Sequence, residues 1–301
     1  MPVTDSSPLK LSEKHATRLK NVTCCYCGKA LNSRETTDDH VIGRKFVPSG
    51  ALLNRWNLVV RACVACNSRK SDLEDDISSI TMAHHLHGFS CMSNPEVQSE
   101  ARRKIHRSTS RKTRKKVRDS SENITFSSAP SPSLKINGNF FAPPQIEQER
   151  SNKLAMLQIM AFFYLLTFEQ DKKIGHYWPG DFYVTQSGIK TDWGNARFLY
   201  FMQLTSSWDY RLIANTANGF FKVSIRKSPD SACWSWAIEW NDCYRLIGFF
   251  GENSYIEDLL NDFPLLDKNL VSSHPSSKIF FREEVEIIPE SDSLFDHSAG
   301  I

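Results

Sequence analysis

The sequence predicts an α+β protein, and three observations carry that prediction. Two Cys-x-x-Cys pairs, Cys24/Cys27 and Cys63/Cys66, stand near the N-terminus in a pattern that suits one four-thiolate metal site. Residues 145–168 then form a long stretch of rich apolar content with helical character. From Arg211 onward short aromatic and β-branched runs alternate with turn residues, as consecutive hairpins do. Helices followed by hairpins argue for an α+β arrangement. The organisation expected is a metal-stapled module over residues 18–90, a basic and Ser/Pro-rich linker over 91–144, and an α+β domain over 145–290.

The chain of 301 residues is long enough for two modest cores. It has no window of eighteen consecutive apolar residues, so no membrane span or membrane partner is expected. With no apolar leader segment, the expected setting is cytoplasmic, where thiols stay reduced. Eight cysteines are present. Only Cys24 makes the two-residue spacing to Cys27, and Gly28 follows it as a tight knuckle turn requires. Structural Zn²⁺ on Cys24, Cys27, Cys63 and Cys66 is therefore expected, and Cys233 and Cys243 read as small core residues.

Between the cysteine pairs lies Asp38-Asp39-His40-Val41-Ile42, then Asn57-Leu58-Val59-Val60. The second pair continues as Cys66-Asn67-Ser68-Arg69-Lys70. Phosphodiester hydrolysis needs an activated water, a counter-charge for the phosphate and help for the leaving oxygen. His40 is the natural general base. Asp39 and Asn67 offer a carboxylate and an amide oxygen of the kind that holds Mg²⁺ or Mn²⁺. Lys70 falls three residues after Asn67, on the same face if a helix begins near Cys66, as a point charge for a phosphate oxygen. Arg44, Lys45 and Arg69 are further candidates for nucleic-acid backbone contacts.

Taken together, Cys24-x-x-Cys27-Gly28, Asp38 to Ile42, Asn57 to Val60 and Cys63-x-x-Cys66-Asn67-x-x-Lys70 resemble an HNH nuclease. That family has a ββα-metal fold, here with an added four-cysteine knuckle. Asn67 stands where the family name has its final His, and active members carry either residue. The resemblance implies cleavage of nucleic-acid phosphodiester bonds. It also implies that Asn57 bonds main chain on the His40 strand and so fixes the base.

The next segment reads as a helix from Ser71 to His87, with Asp72, Glu74, Asp75 and Asp76 in its first turns. His84, His85 and His87 near its end suit either the helix dipole or a second metal site. Charge is divided unevenly. Residues 1–150 hold 24 Lys and Arg against 15 Asp and Glu, and residues 151–301 hold 13 against 19. Much of the excess lies between Arg102 and Arg118. There Arg111, Lys112, Arg114, Lys115 and Lys116 are expected to form an unstructured arm that tracks phosphates. Ser120 to Pro144 has linker composition.

Further on, Gln145–Phe168 reads as one helix, and Asp192 as the cap of another over Trp193–Leu204. Strands are expected at Arg211–Ala214, Phe220–Arg226, Cys233–Trp240 and Tyr244–Phe250. Trp234, Trp236 and Trp240 share one strand face and read as core. The last dozen residues read as disordered. This half resembles no family, and it offers a surface for a homodimer or a regulatory protein. The function expected is a metal-dependent endonuclease acting on DNA, nicking as a monomer and able to cut both strands as a dimer. RNA is a second substrate class that the same chemistry admits. A zinc-dependent nucleic-acid-binding module without turnover is the alternative from another class.

Overall fold

The computed structural model describes residues 8, 9, 11, 13–32, 34–86, 95–131, 134–274 and 277–296. In the first part, β1 (Thr17–Arg18), β2 (Thr36–His40) and β3 (Leu58–Cys63) form a sheet in the order β1-β3-β2. β2 runs antiparallel to β3 with His40 opposite Val59, and β1 runs parallel to β3. The chain passes from β3 straight into α1 (Val64–Ala83). The segment Val64–Ala83 contains no Gly or Pro, so nothing breaks the helix early. Cys66, Lys70, Leu73, Ile77 and Ile80 fall on its buried stripe. Burying a residue such as Ile77 contributes about 1.5–3 kcal/mol. The helix thus begins seven residues before the expected Ser71. The acidic residues Asp72 to Asp76 lie in its middle, where they meet arginines from later in the chain.

The expected linker is a correction. Residues Pro95–Arg107 form α2, which packs on α1, and β4 (Glu122–Ser131) pairs with β5 (Leu134–Ala142) as a hairpin. Val97 and Ala101 of α2 are buried, and so is Val117 in the 3-10 turn that follows. Buried apolar side chains and polar contacts such as Lys104 to Ser78 and Arg111 to Asp72 hold a segment whose composition is that of a solvated arm.

The remaining elements are α3 (Gln148–Leu166), β6 (Asp181–Ile189), α4 (Ala196–Leu204), β7 (Asp209–Thr216), β8 (Phe221–Lys227), β9 (Cys233–Trp240), β10 (Tyr244–Gly251) and α5 (Asn253–Asn261). β11 (Asn269–His274) and β12 (Ser277–Phe281) follow as a hairpin. An antiparallel sheet runs in the order β6-β10-β9-β8-β7. β9 alternates between two cores. Trp234, Trp236, Ile238 and Trp240 face α3, while Cys233 and Ala237 face α4 and α5. The mixed structure of helices and sheets is α+β.

Two local expectations are corrected here. β6 was not foreseen, because its Thr-Gln-Ser-Gly centre lacks clear alternation. It sits at the sheet edge through β10, where a Cβ on Gly248 would come 1.9 Å from the Tyr183 carbonyl oxygen. Asp192 does not cap α4. Asn195 does, accepting from the amides of Arg197 and Phe198, while Asp192 pairs with Arg282. Nor are residues 290–296 loose: Leu294 is buried and Asp292 pairs with Arg245 at 2.7 Å. Residues 297–301 lie outside the described residues.

The N-terminal ββα unit and the large sheet share one continuous apolar core. Leu19, Val41, Phe46, Trp56 and Leu58 pack together with Phe162 of α3 and Trp240 of β9. Polar links reinforce it. Gln158 accepts from Trp240 Nε1 at 3.0 Å, and Thr216 donates to the Trp56 carbonyl at 2.6 Å. The turn residue Asn241, with φ of 54°, donates to the Phe46 carbonyl and to Thr81.

Candidate active site

His40 closes strand β2, and the chain then turns through Val41, Ile42 and Gly43. Asn57, immediately before β3, holds that turn. Its Oδ1 accepts from the Ile42 amide at 3.2 Å and its Nδ2 donates to the Ile42 carbonyl at 2.9 Å. Asn57 is buried, so each bond is made away from competing water. The clamp falls two residues past His40 rather than on the strand itself, and it fixes the exit of the strand.

Alternation along β2 sends His40 to the open face of the sheet and Asp39 toward α1. The His40 ring is half-buried, with Nε2 3.0 Å from an Arg44 amino group. A guanidinium only donates, so Nε2 is the acceptor and Nδ1 carries the proton of the neutral ring. Burial, then the charges of Arg44 and Arg18, hold the His40 pKa below the ordinary histidine value. At neutral pH His40 is a neutral imidazole with a lone pair beside an exposed cation. Arg18, across β3, lies 3.8 Å from Asp38, and Arg61 sits opposite Asp38 in register. Arg18, Arg61 and Arg44 make this face basic. Arg18 and Arg61 were not singled out from the sequence, since neither belongs to a charge run.

The helix-facing side is closed. Asp39 accepts from the Tyr26 hydroxyl through one oxygen and from Lys70 Nζ, 3.2 Å away, through the other. Lys70 also donates to Glu74 at 2.8 Å and to the His40 carbonyl at 3.0 Å, and its side chain is 1% exposed. Burial alone would lower the Lys70 pKa. The Glu74 and Asp39 carboxylates outweigh it and hold the ammonium above its ordinary value. Burial, with the nearby Asp39 charge, shifts Glu74 upward despite Lys70. Asn67 is half-buried and directs its amide toward Thr37 Oγ1 at 3.4 Å. In the folded chain each Asp39 oxygen already accepts one hydrogen bond, and the Asn67 amide lies beside Thr37 rather than beside Asp39. Lys70 likewise faces inward and does not reach the surface where a phosphate would lie. Tyr26 and Glu74 are the site residues that sequence reasoning missed. Each becomes visible only when strand and helix pack.

Cys24, Cys27, Cys63 and Cys66 bring their sulfurs within 4.8 Å of one another. These four side chains could hold a metal ion such as zinc. With Zn–S bonds of about 2.3 Å, a tetrahedron spaces its sulfurs by about 3.8 Å, and Cys27 and Cys63 are 3.8 Å apart. Burial opposes ionisation of Cys63, but hydrogen bonds from Cys66 and its neighbours bring it to about 7. Burial pushes Cys66 upward, so a cation would have to displace its proton. Gly28 turns the knuckle with φ of 72°, and its amide donates to the Cys24 carbonyl at 2.9 Å. Cys25 is buried outside the cluster, as are Cys233 and Cys243; Cys91 lies outside the described residues.

The basic residues divide by partner. Arg69, exposed at the surface, directs an amino group to Cys66 Sγ at 3.6 Å, toward the thiolate cluster. Lys45 is exposed, and its carbonyl accepts from Lys104. Arg111 pairs with Asp72 at 2.7 Å, Lys112 pairs with Glu122 at 2.7 Å, and Lys116 donates to the Arg107 carbonyl. Arg114 and Lys115 are exposed. Within the run expected to be a free arm, Arg111 meets the acidic middle of α1, Lys112 and Lys116 are engaged elsewhere in the fold, and Arg114 and Lys115 stay at the surface. His85 donates through Nε2 to the Asn241 carbonyl at 2.8 Å, so it does not join a histidine metal site. His84 is buried and His87 lies outside the described residues. No family model, curated protein or solved structure matches the chain.

Proposed function

We propose that this protein cleaves nucleic-acid phosphodiester bonds in the manner of an HNH endonuclease, with DNA as its substrate and His40 as general base. The observation that carries the reading is the state of His40: a neutral imidazole, clamped through Asn57, whose Nε2 lone pair lies 3.0 Å from an exposed arginine. A water placed at Nε2 would lose its proton to His40 as its oxygen attacks phosphorus, while the P–O bond to one sugar oxygen breaks and that oxygen takes a proton from solvent. Arg44, with Arg18 and Arg61 on the same face, would bind the phosphate oxygens and offset the charge that builds on them. The Arg44–His40 contact opens when a phosphate draws Arg44 away. The four-cysteine cluster, with zinc bound, would fix β3 and the start of α1 against the knuckle, leaving no open coordination position for chemistry. A divalent cation at Asp39 and Asn67 is not part of this proposal.

The test is incubation of pure protein with supercoiled plasmid in Mg²⁺, Mn²⁺ or EDTA, beside His40→Ala. Nicked or linear product from wild type, reduced at least ~10²-fold in the variant, is expected. Equal rates from both proteins would refute the assignment of His40. The closed Asp39 carboxylate favours one alternative, a zinc-dependent binding module without turnover. Tight, salt-dependent DNA binding with no product in any cation would establish it. Cleavage of RNA alone would transfer the reading to that substrate.

A further inference from the structure

Behind His40 the protein carries a cation of its own. The Lys70 ammonium has three protons and three acceptors: Asp39 Oδ1 at 3.2 Å, Glu74 Oε1 at 2.8 Å and the His40 carbonyl at 3.0 Å. Two carboxylates and a main-chain carbonyl are the oxygen set that a hard divalent ion takes. Around them the network extends to two further donors. Tyr26 donates to the second Asp39 oxygen, and the Gly43 amide donates to Glu74 Oε1 at 3.2 Å. Lys70 thereby ties three points of one turn together: the strand residue before the base, the base's own carbonyl, and Gly43 at the turn's end.

We propose that Lys70 is the resident cation of this pocket, holding the main chain under His40 as a positioning residue and keeping Asp39 from ligating a divalent ion. The positioning role rests on the reading of His40 as the base; the exclusion of a divalent ion does not. Lys70 also makes no contact with the nucleic acid, since its three protons are all committed inside the fold.

Mn²⁺ titration of the chain carrying one equivalent of zinc, followed by the electron paramagnetic resonance of free Mn²⁺, tests the exclusion. Wild type and Asp39→Asn should bind Mn²⁺ alike. Binding by wild type that Asp39→Asn abolishes would overturn the proposal. Both proteins keep Lys70, so the comparison does not depend on a variant that lacks it. For positioning, Lys70→Met is checked for folding by circular dichroism, then assayed for duplex affinity by fluorescence anisotropy and for turnover. Kd should stay within about twofold of wild type, with kcat reduced roughly 10²-fold, the scale of a misplaced catalytic group. A weaker Kd with a salt dependence reduced by about one phosphate contact would overturn it in favour of a direct contact. An unchanged kcat would also overturn the positioning role. Should Lys70→Met fail to fold, Glu74→Gln, which keeps the ammonium but frees one of its three ties, takes its place in the same assays with a smaller loss expected in kcat alone. If wild type itself does not cut, the base reading fails, and the Mn²⁺ and anisotropy results still decide whether Lys70 is the pocket's cation.

Discussion

Replacing Lys70 with Met keeps most of the side-chain volume and removes one charge, which makes its cost calculable. In the folded chain the ammonium serves two carboxylates whose side chains are 7% and 14% exposed. Without it, Asp39 and Glu74 face each other in a site with little water. Losing one partner of a buried ion pair costs about 3–5 kcal/mol, because the desolvation already suffered by the remaining charge is no longer offset. At roughly 2–4 °C per kcal/mol for a chain of this size class, the melting temperature should fall by about 6–20 °C. The deficit should depend on pH in a fixed direction. Burial already holds the Glu74 pKa above the ordinary glutamate value, and loss of Lys70 raises it further. A carboxylate with a raised folded pKa binds more protons in the folded state, so stability rises as pH falls toward that pKa. The variant should therefore recover on the acid side of neutrality and lose most at pH 7 and above. Lys70→Met/Glu74→Gln should regain part of the loss at neutral pH by removing the uncompensated charge. Chemical denaturation monitored by tryptophan fluorescence measures all three proteins. A loss under about 1 kcal/mol at pH 7, the range of an exposed pair, would refute the closed network.

With zinc loaded at the four-cysteine cluster, its removal by a chelator, or the substitution Cys66→Ser, should lower the melting temperature of the whole chain in one transition. Cys24, Cys63 and Cys66 pack in the same core as α3 and β9; a separate early transition that leaves the large sheet unmoved would contradict this. Stability should fall as pH drops through the ordinary histidine range near 6.5, because burial holds His85 below that value and the unfolded chain then binds the extra proton. Protonation would also bury the His85 Nδ1 atom as a donor with no acceptor. His85→Gln should flatten that slope, and an identical slope would remove His85 as its source. Arg18→Ala, Arg44→Ala and Arg61→Ala should each weaken DNA binding and reduce its salt dependence by about one contact. Arg111→Ala, whose guanidinium is paired with Asp72 and Asp75, should have the smaller effect. Anisotropy titrations at several salt concentrations would reverse that ranking if the basic run, and not the sheet face, tracks the phosphates.

Several features of the fold and site were legible in the residues. The four cysteines were paired correctly from spacing alone, because a two-residue loop between ligands is a local geometric requirement. Strands β7 to β10 followed from aromatic and β-branched runs between turn residues, which are also local signals. The resemblance placed the Asn57 amide on main chain of the His40 strand; it bonds Ile42 instead, two residues past the strand's end. Other features were not legible. α2 looked like a solvated arm because a count of charges cannot register buried side chains such as Val97 and Ala101 in a helix that packs on α1. β6 exists through hydrogen bonds to β10, sixty residues away, and not through its own pattern.

From the sequence alone came the inventory of the candidate site: a histidine, an acid, two amides, a lysine and four thiols, in an order that suits nucleic-acid chemistry. Only the tertiary structure decided which of them face water. Asp39 and His40 are neighbours on a strand, so the pleat must send one inward and one outward, and the packing of α1 chose Asp39 for the interior. Lys70 then followed Asp39, since a buried carboxylate requires a counter-charge and the helix placed one within 3.2 Å. The same charges that composition counts as surface were assigned by contact, with Arg111 turned toward α1 and Arg18 left on the open sheet. Spacing along the chain specifies which groups are near in sequence; the electrostatics of burial determine which remain available for a ligand.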